Sequence, residues 1–305
     1  MGNIYKRKID GKNQISLTFS YREDGKPTRK EKKIGSKLPP PAKLDELQDK
    51  FDYEVFTEFW MNDIEKVQRK HINHIKKYPN GLKRQELRQF GVLFTHNSTK
   101  IEGSTLTYRD TQLLLEEGIT PNNKPIEDVV EAQAHMKTYE ETTVSKKKPL
   151  TLALIKEWHK KQFFRTKSGI AGIFRGKGHE FNVRIGNSKH KPPRWDKVQQ
   201  ELQHLDLWFK THENQYHPVF LAAKYHLRFV AIHPFSDGNG RTGRLLMNFI
   251  LHKHNYPMFD IDPAQKRQYF NALERAMVNH NDLLFISWFC RNYIRYTQKY
   301  FAYFD

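Results

Sequence analysis

The chain has 305 residues, of which 37% are hydrophobic and 13% aromatic; that is enough apolar material for a sizeable core and excludes wholesale disorder. Lys and Arg number 52 against 34 Asp and Glu, a formal net charge of +18, so the surface attracts polyanions: nucleic acid, nucleotides, acidic lipid or acidic protein. The lone cysteine, Cys290, excludes an intramolecular disulfide and a cysteine-based zinc site. The polar first thirty residues and the lack of any run of 18 apolar residues predict no secretory signal, no membrane span and a cytoplasmic setting.

Residues 1–38 stand apart, with 11 Lys and Arg against 4 Asp and Glu. From Gln14 to Tyr21 every second residue is apolar, the period of a half-buried strand. Strands are expected at about 3–9, 14–22 and 27–34, joined by turns at Asp10-Gly11 and Asp24-Gly25, giving a small antiparallel β-meander. Leu38-Pro39-Pro40-Pro41 then makes a stiff linker.

From residue 43 the period becomes helical: Leu44, Leu47, Phe51, Val55, Phe59, Ile64 and Val67 recur at steps of three to five, until Tyr78-Pro79-Asn80-Gly81 ends the segment. Further helices are expected at about 83–98, 108–117, 126–143, 151–164, 195–211, 217–231, 240–254, 264–279 and 282–301. Thr107 with Asp110 three residues on reads as a capping box with Asp in place of Glu. One island interrupts the helices: residues 179–194, with β-type residues, Gly186-Asn187-Ser188 and two prolines, read as a short hairpin. The expected fold is mostly α, a helical bundle with a short β-hairpin and a small N-terminal antiparallel β appendage. The expected units are a basic appendage at 1–38, a helical segment at 39–89, the functional domain at 90–290 and a helix end at 291–305.

The chemistry concentrates in His233-Pro234-Phe235-Ser236-Asp237-Gly238-Asn239-Gly240-Arg241-Thr242-Gly243-Arg244, a loop that leaves one apolar helix and enters another. Gly238 and Gly240 permit backbone conformations that other residues resist, and free N–H groups at a helix start favour anions. Arg241 and Arg244 lie three apart, where two guanidinium forks can hold phosphate oxygens. Asp237 is a hard oxygen ligand of the kind Mg²⁺ takes beside phosphates, and His233 has an unperturbed pKa suited to general-base work near neutrality.

The segment matches all eight specified positions of HxFx[DE]GNGRxxR, and the chain thereby resembles the Fic (Fic/Doc) family over about residues 90–290. Gly172-Ile173-Phe174-Arg175 resembles the stretch before that family's flap, and residues 181–193 resemble the flap itself. The resemblance implies transfer of AMP from ATP to a Ser, Thr or Tyr hydroxyl of a target protein, with relatives that carry other residues at the Asp237 position moving phosphate or phosphocholine. By position, it implies that His233 takes the hydroxyl proton and that Asp237 holds Mg²⁺ (or Mn²⁺). It further implies that Gly238, Asn239 and Gly240 form an anion hole, that Arg241, Thr242, Gly243 and Arg244 complete nucleotide binding, and that Tyr269 and Asn279 lie near base or ribose. Val183, Arg184, Ile185 and Gly186 would dock the target as an added strand. Phe235 is expected to be a core anchor for the loop.

Upstream, Ser98-Thr99-Lys100-Ile101-Glu102-Gly103 resembles the family's inhibitory motif [ST]xxxE[GN]. The resemblance implies that Glu102 pairs with Arg244 in place of the γ-phosphate, leaving ATP bound with Pα turned away from attack. Removal of AMP, with Glu102 positioning a water, is a variant of the same expectation. Expected partners are ATP, a target protein that includes the chain itself, and a polyanion on the basic N-terminus, with a homodimer left open. Two other classes compete: a nucleic-acid-associated basic protein whose Fic domain has another transferase activity, and a scaffold with a dead site, against which the intact His233, Asp237, Asn239 and Arg244 argue.

Overall fold

The computed structural model describes residues 4–9, 11–23, 26–186 and 188–302. Asp10, Asp24-Gly25, Asn187 and the start of the first expected strand at residue 3 lie outside the described residues. Three strands, β1 (Ile4–Ile9), β2 (Lys12–Glu23) and β3 (Lys26–Gly35), form an antiparallel sheet in the order β1-β2-β3. The alternation read in β2 sets which way it faces. Leu17 is fully buried and Phe19 packs edge-on to Phe59 and Trp60, so odd positions face the helices; on the even side Ser20 is exposed, while Ser16 is fully buried beside the register shift at Ile15/Ser16.

The helices are α1 (Pro41–Phe56), a π-turn at Thr57–Met61, α2 (Asn62–Lys77), α3 (Asn80–Glu102), α4 (Tyr108–Gln112) with a π-turn to Glu117, α5 (Ile126–Val144) and α6 (Leu152–Phe163). Then come α7 (Trp195–His212), α8 (Pro218–Ile232), α9 (Asn239–Lys253), α10 (Lys266–Asn279) and α11 (Asp282–Ala302). Pro41 opens α1 at a position where its missing N–H costs nothing. The capping box is present: Thr107 accepts from the Asp110 amide while Asp110 accepts from the Thr107 amide. α3 runs four residues past its expected end and closes on Gly103 in the left-handed conformation (φ 110°), so the Ser98–Glu102 stretch is the last turn of a long helix.

α8 and α9 are the buried centre, with α7 and α11 against α8, and α3, α5 and α6 against α9. One apolar cluster runs from Leu17 of the sheet through Phe51 and Phe56 of α1 to Phe220, Phe249 and Phe289. A buried ionic knot fastens α1 to α8 and α11. The Lys224 ammonium lies 2.7 Å from both Asp49 and Asp52 and 3.2 Å from Asp282, while Arg228 also reaches Asp49 at 2.5 Å. Burial opposes the charge of Lys224, but the three carboxylates outweigh it and raise its pKa.

The expected hairpin at 179–194 is not formed. Among the described residues the only bridge is Gly176 with His179, and 181–185 has no regular structure. The segment has no third strand to pair with, and a lone two-stranded ribbon is marginal in water.

Candidate active site

α8 stops at Ile232 because His233 takes the left-handed conformation (φ 51°). The loop that follows is pinned from inside. The Asn239 carboxamide accepts from the Phe235 amide at 2.9 Å and donates to the Phe235 carbonyl at 2.9 Å. Phe235 is fully buried, as expected of a core anchor, and stacks on His159 with ring centroids 3.6 Å apart. His159 Nδ1 accepts from the Gly172 amide at 2.9 Å, so Nε2 carries the proton and donates to the Asp237 carbonyl at 2.9 Å. Burial pushes its pKa down to about 4, which keeps it in that neutral tautomer.

Arg175 holds the other side. Its guanidinium, 1% exposed, donates to the carbonyls of His233 (3.0 Å), Ile232 (3.2 Å) and Pro193 (3.2 Å), with a longer contact to Phe181 (3.4 Å). The root of the 181–193 segment is thus tied directly to the His233 backbone. Arg175→Ala leaves these acceptors unpaired in the interior. It is expected to cost about 3 kcal/mol in urea unfolding; a variant with wild-type stability would contradict this assignment.

His233 itself is partly exposed. Burial pushes its pKa down to about 4, with the Val230 carbonyl acting the other way, so at neutral pH the imidazole is uncharged and can accept a proton. The Asp237 carboxylate is half exposed: Oδ1 accepts from the Gly238 amide at 2.6 Å, and Oδ2 lies 2.8 Å from the Lys167 ammonium. Burial would raise its pKa, but Lys167 and Arg241 more than offset this and lower it. Lys167 also reaches Glu131 at 2.9 Å and Glu127 at 3.3 Å. A cation therefore already sits on Asp237, and an oxygen set of this kind fits a hard divalent ion.

α9 begins directly after this loop, with Gly238 left-handed (φ 77°) and set against the Phe163 ring, where a side chain would collide. A side chain on Gly240 would run into the Glu102 carboxylate and the Arg244 guanidinium, so the Glu102 carboxylate lies over the first turn of α9. That is where the dipole and the free amides favour a negative charge. Arg244, 1% exposed, donates to Glu102 Oε1 at 2.7 Å, to Ser98 Oγ at 3.0 Å and to the Ser98 carbonyl at 2.8 Å, leaving Nη1 without an acceptor. Arg241 is buried on the Phe163 ring (4.4 Å) and paired with Glu131.

The structure thus brings together His233, Asp237, Gly238, Gly240, Arg241, Arg244, Ser98, Glu102 and Gly103. Other expected site residues are placed differently. The Asn239 side chain braces the loop through Phe235, which takes its carbonyl oxygen and one of its two N–H donors. Thr242 is fully buried with its amide bonded to the Gly238 carbonyl at 3.0 Å, and Gly243 packs on Val230 and His226, so both serve helix packing. Tyr269 is 1% exposed and its hydroxyl bonds His226 at 2.8 Å, so it packs inside the fold with no face open to a base. Asn279 is exposed at the end of α10 and bonds back to the Arg275 carbonyl at 2.7 Å. Val183, Arg184, Ile185 and Gly186 lie in the unpaired segment, exposed or half-exposed.

Sequence reasoning missed Lys167, Glu131 and His159 as parts of the site. Glu131 was the detectable one, a carboxylate among Val129, Ala132, His135 and Met136 on the buried face of α5. A charge there needs a partner.

Burial also makes the protein acid-sensitive. Among the described residues, seven histidines (71, 135, 159, 217, 226, 233 and 252) are pushed down to about 4 or, for His135, about 3. The unfolded chain binds those protons first, near pH 6.5, so stability is lost as pH falls from about 6.5 toward 4. Asp52 and Asp260, raised to about 7 by burial, act in the opposite sense, but two groups do not offset seven. Tm by calorimetry is expected to drop by several degrees between pH 7 and pH 5; a flat profile would contradict the neutral burial of these rings.

Residues 149–251 match the family model described as Fic/DOC family. Over 206 residues the chain is 32% identical to a protein adenylyltransferase Fic from Aedes aegypti, covering 66% of this chain and 40% of that protein. It is 30% identical to one from Nematostella vectensis, covering 67% and 45%. The chain therefore spans about two fifths of the length of the curated relatives it matches. A Fic domain containing signaling protein from Bacteroides thetaiotaomicron superposes with a TM-score of 0.68 at 29% identity, covering 77% of this chain and 94% of that one. A fragment of Fic-1 from C. elegans shares the fold at a TM-score of 0.69 and 22% identity, covering 86% and 76%.

Proposed function

The chain belongs to the Fic/DOC family through residues 149–251, and from that premise we propose that it is a protein adenylyltransferase that moves AMP from ATP to a hydroxyl of a target protein. The observation that carries the reading is the convergence, on one loop and the helix it opens, of a neutral His233, the Asp237 carboxylate and the α9 N-terminus backed by Arg244. The target oxygen attacks Pα while the bond to the departing pyrophosphate breaks in line. His233 takes the hydroxyl proton, so the attacking oxygen arrives without it. The α9 amides and Arg244 hold phosphate oxygens, supplying position and charge. Asp237 would hold a Mg²⁺ or Mn²⁺ ion, which when bound neutralises charge on the nucleotide phosphates. Lys167 must yield Asp237 to that ion.

The same reading includes autoinhibition. Arg244 meets either Glu102 or the γ-phosphate, and in this structure it meets Glu102. The unpaired backbone at 181–185 beside His233 suits pairing with an extended target segment. Val183→Pro or Ile185→Pro removes an N–H donor without breaking an existing ladder. Transfer to protein is expected to fall at least fivefold while ATP binding changes less than twofold; an equal fall in both would make the segment a nucleotide lid instead. We place the reaction in the cytoplasm, in keeping with the single buried Cys290, and read the basic N-terminal sheet as the part that holds a polyanion. The reaction class is tested with ATP labelled at either the α- or the γ-phosphate. Label is expected on protein from the α position alone; label from the γ position would identify a phosphotransferase.

A further inference from the structure

We propose that the outer face of the β1–β2–β3 sheet is a docking surface for B-form duplex DNA, entered through the major groove. This rests on the reading that the N-terminal segment holds a polyanion, and names both the face and the partner.

Strand alternation splits the sheet's charges into two sets with different fates. On the helix-facing side Lys30 and Lys32 are paired with Glu58 and Glu54 of the α1 region, so those two charges are balanced within the fold, while Lys6 and Lys8 on the same side are exposed. The register puts Tyr5, Arg7, Gln14, Ser20, Arg29 and Lys33 on the other side. There, among the described residues, a single carboxylate, Glu31, is shared by Arg7 at 3.2 Å and the Gln14 amide at 3.3 Å. Arg29 lies over the Tyr5 ring at 4.7 Å, and neither Arg29 nor Lys33 has a carboxylate partner among the described residues. The stacking and the shared carboxylate hold both guanidinium groups in place before any ligand arrives, so less side-chain freedom is lost on binding.

The shape and chemistry of the face select the partner. Two neighbouring strands of the sheet, set about 4.8 Å apart, match the B-form major groove, which is about 12 Å wide and admits a two-stranded ribbon. The face offers what base edges there accept: guanidinium forks for guanine O6 and N7, and the exposed Ser20 hydroxyl. Its one large ring is capped by Arg29, so it lacks the apolar centre of a protein-docking surface. The major groove of A-form RNA is too deep and narrow for such a sheet.

The test is fluorescence anisotropy with the full chain and a fluorescein-labelled 20-base-pair mixed-sequence duplex at stepped KCl. Two triple variants of equal charge change are compared: Arg7→Glu/Arg29→Glu/Lys33→Glu on the face, and Lys137→Glu/Lys147→Glu/Lys197→Glu at exposed sites elsewhere. The face variant is expected to bind at least tenfold more weakly and to lose about 2–3 from the slope of log K against log salt, with automodification unchanged. The control is expected to bind within threefold of wild type. Equal losses in both variants would overturn the face while leaving a diffuse polyanion site. No duplex binding at low salt would overturn the polyanion reading as well. A second measurement needs no variant: dimethyl sulfate footprinting is expected to show guanine N7 protected by the wild-type chain. Binding without that protection, or tighter binding to single-stranded RNA of the same length, would overturn the groove assignment.

Discussion

Glu102→Gly is expected to raise automodification at least tenfold. Arg244 is buried, and Ser98 fixes it from behind through two hydrogen bonds. Its outward contact is the Glu102 carboxylate, which also lies over the first turn of α9 where nucleotide phosphate would otherwise sit. Removing the carboxylate frees both the guanidinium and the helix N-terminus without touching His233 or Asp237. Positioning supplies much of the rate in this chemistry, so an ATP pose corrected by one anchor is worth at least a factor of ten, about 1.4 kcal/mol. Gly in the last turn of α3 costs about 1 kcal/mol relative to Ala, which a well-packed fold survives. Any removal of AMP that depends on Glu102 is expected to vanish in the same variant. Equal rates for wild type and variant would reduce Ser98–Gly103 to an ordinary helix end, and a lower rate would make Glu102 part of the forward reaction.

His233→Ala is expected to lower transfer by about 10²–10⁴-fold while ATP binding stays within about threefold. In the proposed mechanism the imidazole acts on the incoming hydroxyl, whereas the α9 amides, Arg244 and Asp237 hold the nucleotide. The left-handed backbone at residue 233 makes the substitution mildly strained for Ala, so His233→Asn, which tolerates that conformation, serves as the control for fold. Automodification at the wild-type rate in both variants would remove His233 from the mechanism. Loss of ATP binding together with transfer would make it a structural residue.

Much of the architecture was legible because it is written in short-range patterns. The period-2 run at Gln14–Tyr21, the helical spacing from Leu44 to Val67 and the Thr107–Asp110 cap each carry their own physics within a few residues. The candidate site loop was legible because Gly238, Gly240 and the arginines must be close in sequence to share one helix start. What stayed hidden depends on partners far along the chain. Lys167 finds Asp237 across 70 residues and Arg241 finds Glu131 across 110. The bracing of the loop by Asn239 was hidden because an amide in a glycine-rich loop suits an anion or its own backbone, and only the fold shows its bonds to Phe235. Tyr269 misled because position along a family pattern does not reveal that its hydroxyl turns inward to His226. The 181–185 stretch has strand-like residues but lacks a partner strand, and pairing is a property of two segments.

The central claim is that this site attaches AMP to protein with His233 as base and Glu102 as its restraint. The most direct measurement is intact mass of the Glu102→Gly chain after incubation with ATP and Mg²⁺, beside Glu102→Gly/His233→Ala. The account predicts mass gains in whole steps of one AMP on the single variant and none on the double. An unchanged mass for the single variant, gains in steps of phosphate, or AMP steps that survive the loss of His233 would contradict it.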